Sequence, residues 1–179
     1  MPAALVESTF HRISQLELPV CRFCHRWSTA RIARFFGGVS RAGDGHYFYL
    51  VLGAVLLVQG QAALPLLGHV AAAGAVCHVL YRALKRSTAR QRPFDFAAEG
   101  FDLSVPPLDK YSFPSGHTMH AVFFTLVMGA YVPALLWVLV PFAVLVAASR
   151  IVLGLHYPTD VAAGAILGAL LAYLSFFVF

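Results

Sequence analysis

Three short stretches of the chain hold side chains of the kinds that handle phosphate: Lys85 to Pro93 (KRSTARQRP), Pro114 to His117 (PSGH) and Ser149 to Asp160 (SRIVLGLHYPTD). Lys85 and Arg92 would share a helix face if the helix carrying Lys85 ran on for two more turns to Pro93. Two cations on one face can grip one phosphate, the guanidinium as a fork and the ammonium as a point charge. Pro114, Ser115 and Gly116 precede an apolar run, which predicts a helix starting at Ser115 or Gly116 with free backbone N–H groups, a ready anion site. His117 follows in that first turn, where an imidazole can protonate a departing alkoxide. Arg150 closes one apolar run, His156 lies in the turn after it, and Asp160 opens the next helix. A carboxylate at the far ring nitrogen would fix the tautomer of His156 and strengthen it as a nucleophile.

Each residue also has a plainer reading. Lys85, Arg92 and Arg150 could anchor helix ends at a membrane surface, His117 and His156 could bond helix termini, and Asp160 could cap the last helix. Taken singly these readings suffice, but they do not account for all six residues at one set of spacings.

The elements that must position these stretches are apolar. The chain is 59% hydrophobic and 12% charged, far from the composition of a soluble globule. No Asp, Glu, Lys or Arg occurs from His46 to Tyr81, from Tyr111 to Ser149, or from Val161 to Phe179. Since a helix needs about 20 residues to cross the hydrocarbon, the first two runs each hold a pair of short helices and the third holds one. The expected fold is all-α, a polytopic bundle of five transmembrane helices over roughly 46–59, 62–82, 117–131, 133–149 and 160–178. Residues 1–45 carry Arg12, Glu17, Arg22, Arg26, Arg31, Arg34 and Arg41, which interrupt any signal-peptide core. Their apolar members recur at helical intervals, so 1–45 reads as an amphipathic arm in the membrane interface and 46–179 as the transmembrane domain, with a sixth span as the alternative. With five spans, every charged side chain falls on one face. The 13 Lys and Arg against 8 Asp and Glu make that face attractive to a polyanion.

Together, Lys85-x6-Arg92-Pro93, Pro114-Ser115-Gly116-His117 and Ser149-Arg150-x5-His156-x3-Asp160 resemble the three-part signature of the type 2 phosphatidic acid phosphatase superfamily, with no departure at any signature position. The resemblance implies that Lys85, Arg92, Ser115, Gly116 and Arg150 hold the phosphate, His156 attacks phosphorus, Asp160 orients His156, and His117 protonates the leaving group. His117 would then serve as base while water hydrolyses the phosphohistidine. The implied chemistry needs no metal and no cofactor, because the cations and the helix start neutralise the developing charge. The Gly-Asp-Gly at 43–45 is also similar to small bacterial lipid phosphatases of the superfamily. Asp44 itself reads as a surface turn residue without a catalytic role.

The partners implied are a membrane and a lipid phosphate, with no nucleic acid. Undecaprenyl diphosphate ranks first by family habit, and phosphatidylglycerol phosphate, phosphatidate and lipid A 1-phosphate follow. A lipid phosphotransferase would use the same chemistry, and a lipid-binding scaffold would have no reason to keep both histidines. The Phe94–Lys110 loop is expected to cover the site. Resemblance places the site on the periplasmic face of a bacterial inner membrane, whereas the positive-inside rule favours the cytoplasm. Two other signals compete. Cys21-Arg22-Phe23-Cys24-His25 fits covalent haem attachment but lies in a basic amphipathic stretch. His69, His78 and His120 could suggest a proton or metal path, yet read better as hydrogen-bonding groups inside the bundle. Gly164 and Gly168 mark a close-packing face on the last helix.

Overall fold

The structure is a computed structural model in which residues 2–97, 100, 101, 106, 107 and 109–179 are described, with side chains from Glu7 onward. Among the described residues eight α-helices run in chain order: α1 Pro2–Arg26, α2 Ala30–Ala42, α3 His46–Gln59, α4 Leu64–Thr88, α5 Pro93–Ala97, α6 Gly116–Tyr131, α7 Leu136–Val152 and α8 Pro158–Ser175. No strand occurs among the described residues. The helices α3, α4, α6, α7 and α8 fall where the five apolar segments predict them. The stretches 46–97, Pro133–Val152 and Pro158–Ser175 are long and apolar enough to cross a membrane, and the first of these contains both α3 and α4. The remaining helix of the five, α6, has 16 residues and is mostly buried at the centre of the bundle.

The core forms around α6, where Met119, Phe123, Val127 and Met128 pack with Phe48 of α3, Leu66 and Val70 of α4, and Leu139 and Val146 of α7. The outward faces are apolar as well: Leu57, Val58 and Trp137 are more than four-fifths exposed, a pattern suited to lipid rather than water. On α8, a Cβ added at Gly164 would lie 2.5 Å from the Ser115 carbonyl oxygen, and one at Gly168 would lie 2.3 Å from that of Met119. The small-residue face therefore presses α8 directly on the α6 backbone. By contrast α3 and α4 part after their turn at Gly60–Ala63 and leave a cleft of about 650 Å³ floored by α6.

One local expectation fails. The helix carrying Lys85 does not continue to Pro93; α4 ends at Thr88 and Ala89 takes a left-handed conformation, φ 47°. Arg90, Gln91 and Arg92 then run irregularly into the protein, and Pro93 opens α5 instead of stopping α4, as suits a residue with fixed φ and no N–H to lose. Of the loop expected to cover the site, Ala98, Glu99, Asp102 to Val105 and Leu108 lie outside the described residues.

Candidate active site

His156 sits in the Leu153–Tyr157 turn between α7 and α8. The Arg150 carbonyl accepts from the amides of both Leu155 and His156, each at 3.0 Å, which folds the turn back onto the end of α7. The imidazole is 1% exposed. Its Nδ1 lies 3.6 Å from Oδ2 of Asp160 and 3.4 Å from the Ser112 hydroxyl, which also donates to Asp160. Its Nε2 lies 3.3 Å from Nη1 of Arg92. A guanidinium can only donate, so Nε2 holds a lone pair and the ring proton belongs on Nδ1, toward Ser112 and Asp160. Burial, and then the charges of Arg92, Arg150, Lys85 and His117, hold the His156 imidazole well below its ordinary pKa. That favours the neutral ring, the form in which an imidazole nitrogen can act as a nucleophile.

Asp160 is both cap and partner. Its carboxylate accepts from the Tyr157 amide at 2.9 Å, closing the first turn of α8, and from Nη1 of Arg90 at 2.6 Å. Arg90 is 3% exposed. It also donates to Ser14, Thr159 and Glu17 and lies 4.1 Å above the Tyr157 ring.

Lys85 and Arg92 do converge, though by chain reversal and not by sharing a helix face. Both bond Oδ1 of Asp109, Arg92 through Nη2 at 2.7 Å, and Tyr81 donates to the other oxygen of that carboxylate. Lys85 further donates to the Tyr111 carbonyl at 2.6 Å, and Arg92 to that of Leu155 at 2.7 Å. Burial alone would raise the pKa of Asp109, but the bonds from Lys85 and Tyr81 and the charges of Lys85 and Arg92 outweigh it and hold the carboxyl below the usual range. Asp109 is thus an ionised anion held by the cations expected to hold phosphate. Arg150 donates to Ser40 on α2, while its buried Nε has no hydrogen-bond partner among the described residues, which leaves a donor for an incoming oxyanion.

The α6 start differs in detail from expectation. Ser115 is the N-cap and Gly116 the first helical residue, but the Ser115 amide is not free: it donates to the Asp160 carbonyl at 3.0 Å, and the Ser115 hydroxyl pairs with Thr118. The helical ladder begins with Met119 bonding Ser115, so the amides of Gly116, His117 and Thr118 are the ones outside it. His117 meets Asp44 through Nε2, so Asp44 is more than a surface turn residue.

Sequence reasoning missed Arg90, Asp109, Ser112, Tyr81, Glu17 and Ser40. Arg90 lay in plain view within KRSTARQRP; treating the stretch as continuous helix pointed it away from the site. Cys21 is buried beside the His156 carbonyl and Cys24 is partly buried. His69 bonds Tyr131 and Ser175, and His120 bonds the Gly116 carbonyl, all within the bundle.

What fold and site define together is a helical membrane protein with a cation-lined histidine centre at one end of its bundle. The sequence model of the PAP2 superfamily matches residues 62–179, and the chain belongs to that superfamily. It is similar to the decaprenylphosphoryl-5-phosphoribose phosphatase of Mycobacterium tuberculosis, 40% identical over 137 residues that make up 74% of this chain and 72% of that one. It is also similar to the undecaprenyl-diphosphatase of Sulfolobus acidocaldarius, 38% identical over 98 residues, 54% of this chain and 47% of that one. The chain thus matches about half the length of the Sulfolobus protein. Among solved structures, the first transmembrane PAP2-type phosphatidylglycerolphosphate phosphatase from Bacillus subtilis superposes with a TM-score of 0.72 at 22% identity, covering 98% of this chain and 91% of that one. LpxE of Aquifex aeolicus superposes at 0.70 and 24% identity, covering 90% and 94%. Both share the fold.

Proposed function

We propose that the protein is an integral-membrane lipid phosphatase that cleaves a phosphomonoester or diphosphate through a phosphohistidine on His156. The observation that carries this reading is the placement of a neutral, buried imidazole, its Nε2 beside Arg92, within a group of cations that already holds one anion, Asp109. In the reaction a phosphoryl oxyanion takes the place of Asp109 against Lys85 and Arg92 and accepts from Arg150 Nε and the free amides at the α6 start. Nε2 of His156 attacks phosphorus, and Asp160 with Ser112 stabilises the charge that develops on the ring. His117 gives its proton to the leaving oxygen, and water then hydrolyses the phosphohistidine with His117 as base. The cations and helix start supply the electrostatic stabilisation, so the reaction proceeds without a metal ion.

The lipid character of the substrate follows from the cleft between α3 and α4. Leu52, Leu67, Val70 and Phe124 line it, and it ends at Asp44 and His117. An apolar trough leading to the proton donor suits a leaving group that carries a long chain. Relatives named for polyprenyl-linked substrates support a polyprenyl phosphate, with undecaprenyl diphosphate first and a phosphomonoester on a prenyl-linked sugar second. The site is assigned to the periplasmic face of an inner membrane, and residues 1–45 to an arm in the interface.

A phosphate-release assay of the purified protein over a panel of lipid mono- and diphosphates tests the reading. Release from polyprenyl diphosphate in excess EDTA is expected, with acid-labile, base-stable label trapped on the wild type and absent from His156→Ala. Full activity in His156→Ala would end the proposal, and strong inhibition by EDTA would remove the metal-free part of it.

A further inference from the structure

Asp44 sits in a turn that the sequence fixes tightly. Its amide donates to the Arg41 carbonyl at 3.1 Å. A Cβ at Gly43 would press on Val146 of α7 at 3.0 Å, and Gly45 takes φ 116°, a conformation open to glycine, to launch α3. Between the two glycines the Asp44 carboxylate is carried across to α6, where Oδ1 pairs with Nε2 of His117. The side chains of Asp44 and His117 are 25% and 11% exposed, and both face the α3–α4 cleft. The site therefore holds two imidazole–carboxylate pairs. In one, Asp160 stands behind the buried His156; in the other, Asp44 stands beside the partly exposed His117 at the end of the apolar trough.

We propose that Asp44 is a positioning residue for proton transfer: by binding Nε2–H of His117 it aims Nδ1–H at the leaving-group oxygen and offsets part of the cost of charging the ring before transfer. The inference rests on the assignment of His117 as the acid. In the first half-reaction the bond from His156 Nε2 to phosphorus forms and the P–O bond to the leaving group breaks. The electron pair goes to the leaving oxygen, which takes the proton from His117 Nδ1. Asp44 keeps its hydrogen bond to Nε2–H throughout. In the second half-reaction water attacks phosphorus, the P–N bond breaks, and the proton from water returns to His117. A carboxylate at one ring nitrogen favours the charged imidazole and fixes which nitrogen faces the substrate.

The distinguishing measurement is leaving-group dependence in the first turnover, before phosphohistidine hydrolysis. Dodecyl phosphate must expel an alkoxide, which needs a proton; dodecyl diphosphate expels a phosphate monoester, which needs little help. Proton transfer by a positioned side chain contributes about 10²–10⁴-fold, so rapid-quench assays of the full chain in detergent should show a selective loss. In Asp44→Asn, alcohol release from dodecyl phosphate is expected to fall roughly tenfold or more beyond any loss with dodecyl diphosphate. His117→Ala should show the same selectivity, more strongly. Asp44→Glu, which keeps the charge, should recover part of the monoester rate, and its ratio of the two rates decides the matter should the Asn variant not hold its fold. Selectivity in His117→Ala with equal losses on both substrates in Asp44→Asn and Asp44→Glu would overturn the role of Asp44 and leave His117 as the acid. No selectivity in His117→Ala would overturn the acid assignment itself.

Discussion

At the scale of the residue, the environment of His156 sets a direction for the pH dependence. Its conjugate acid is disfavoured by burial and by the charges of Arg92, Arg150, Lys85 and His117, while Asp160 lies 3.6 Å from Nδ1. The folded pKa lies below the ordinary 6.5, so lowering pH through 6.5 leaves the nucleophile neutral. Phosphohistidine formation, followed by single-turnover labelling, should hold its rate as pH falls through 6.5, and a fall in rate centred on 6.5 would contradict the burial of a neutral His156. The same shift destabilises the fold in acid: the unfolded imidazole binds a proton near pH 6.5 and the folded one does not, so this contribution to stability declines as pH falls below 6.5. Arg90 gives a prediction on energetics. Arg90→Gln leaves the Asp160 carboxylate buried without its cation, and breaking a buried pair costs about 3–5 kcal/mol. A marked fall in melting temperature in detergent should accompany the loss of turnover, and wild-type melting would contradict the weight placed on this pair.

At the scale of the element, the sequence shows where helices begin better than where they end. The α6 start follows from Pro114-Ser115-Gly116, because caps and prolines act on the chain within one turn, while α8 begins at Pro158, two residues before the Asp160 expected to open it, with Asp160 closing its first turn from inside. The end of α4 has no such mark: Ala89 adopts a positive φ that nothing about alanine announces. The site was readable as three motifs, but Asp109, Ser112, Glu17 and Ser40 come from other segments and act only through tertiary contact. Gly164 and Gly168 were legible as a packing face, and the structure gives that face a consequence. Gly164 lies under Ser115 and Gly168 under Met119, so α8 holds the α6 start beside Asp160. Overpacking of this kind costs about 1–3 kcal/mol. Gly168→Ala should lower the melting temperature, while Gly164→Ala should also raise KM for phosphate esters by displacing the α6 start. Wild-type kinetics in a folded Gly164→Ala would show that the cradle tolerates a shift of α8.

At the scale of the whole molecule, the open matter is how α1 lies in the membrane, and one contact bears on it directly. Glu17, in the interior of α1, bonds the Thr159 amide at 2.7 Å and Arg90 at 2.9 Å. Thr159 lies in the first turn of α8, so the α1 interior is level with the end of the bundle. A helix crossing the bilayer would put its midpoint at bilayer depth, next to the middle of α8. Phe10, Ser14, Glu17 and Cys21 face the protein, with Ser14 and Cys21 buried, while Leu16, Val20 and Phe23 of α1 and Trp27 just beyond it form an exposed apolar stripe flanked by the exposed Arg12, Arg22 and Arg26, a pattern that suits a helix in the interface with its apolar stripe toward lipid. A single tryptophan at position 16, introduced as Leu16→Trp with Trp27 and Trp137 replaced by Phe, should therefore be quenched by lipids brominated near the headgroup. Lipids brominated toward the chain ends should quench it weakly. The reverse order would place the α1 interior at the bilayer centre and restore the sixth span. The expected order would tie the arm to catalysis, because α1 is the helix whose Glu17 secures Arg90, and through it Asp160 behind His156.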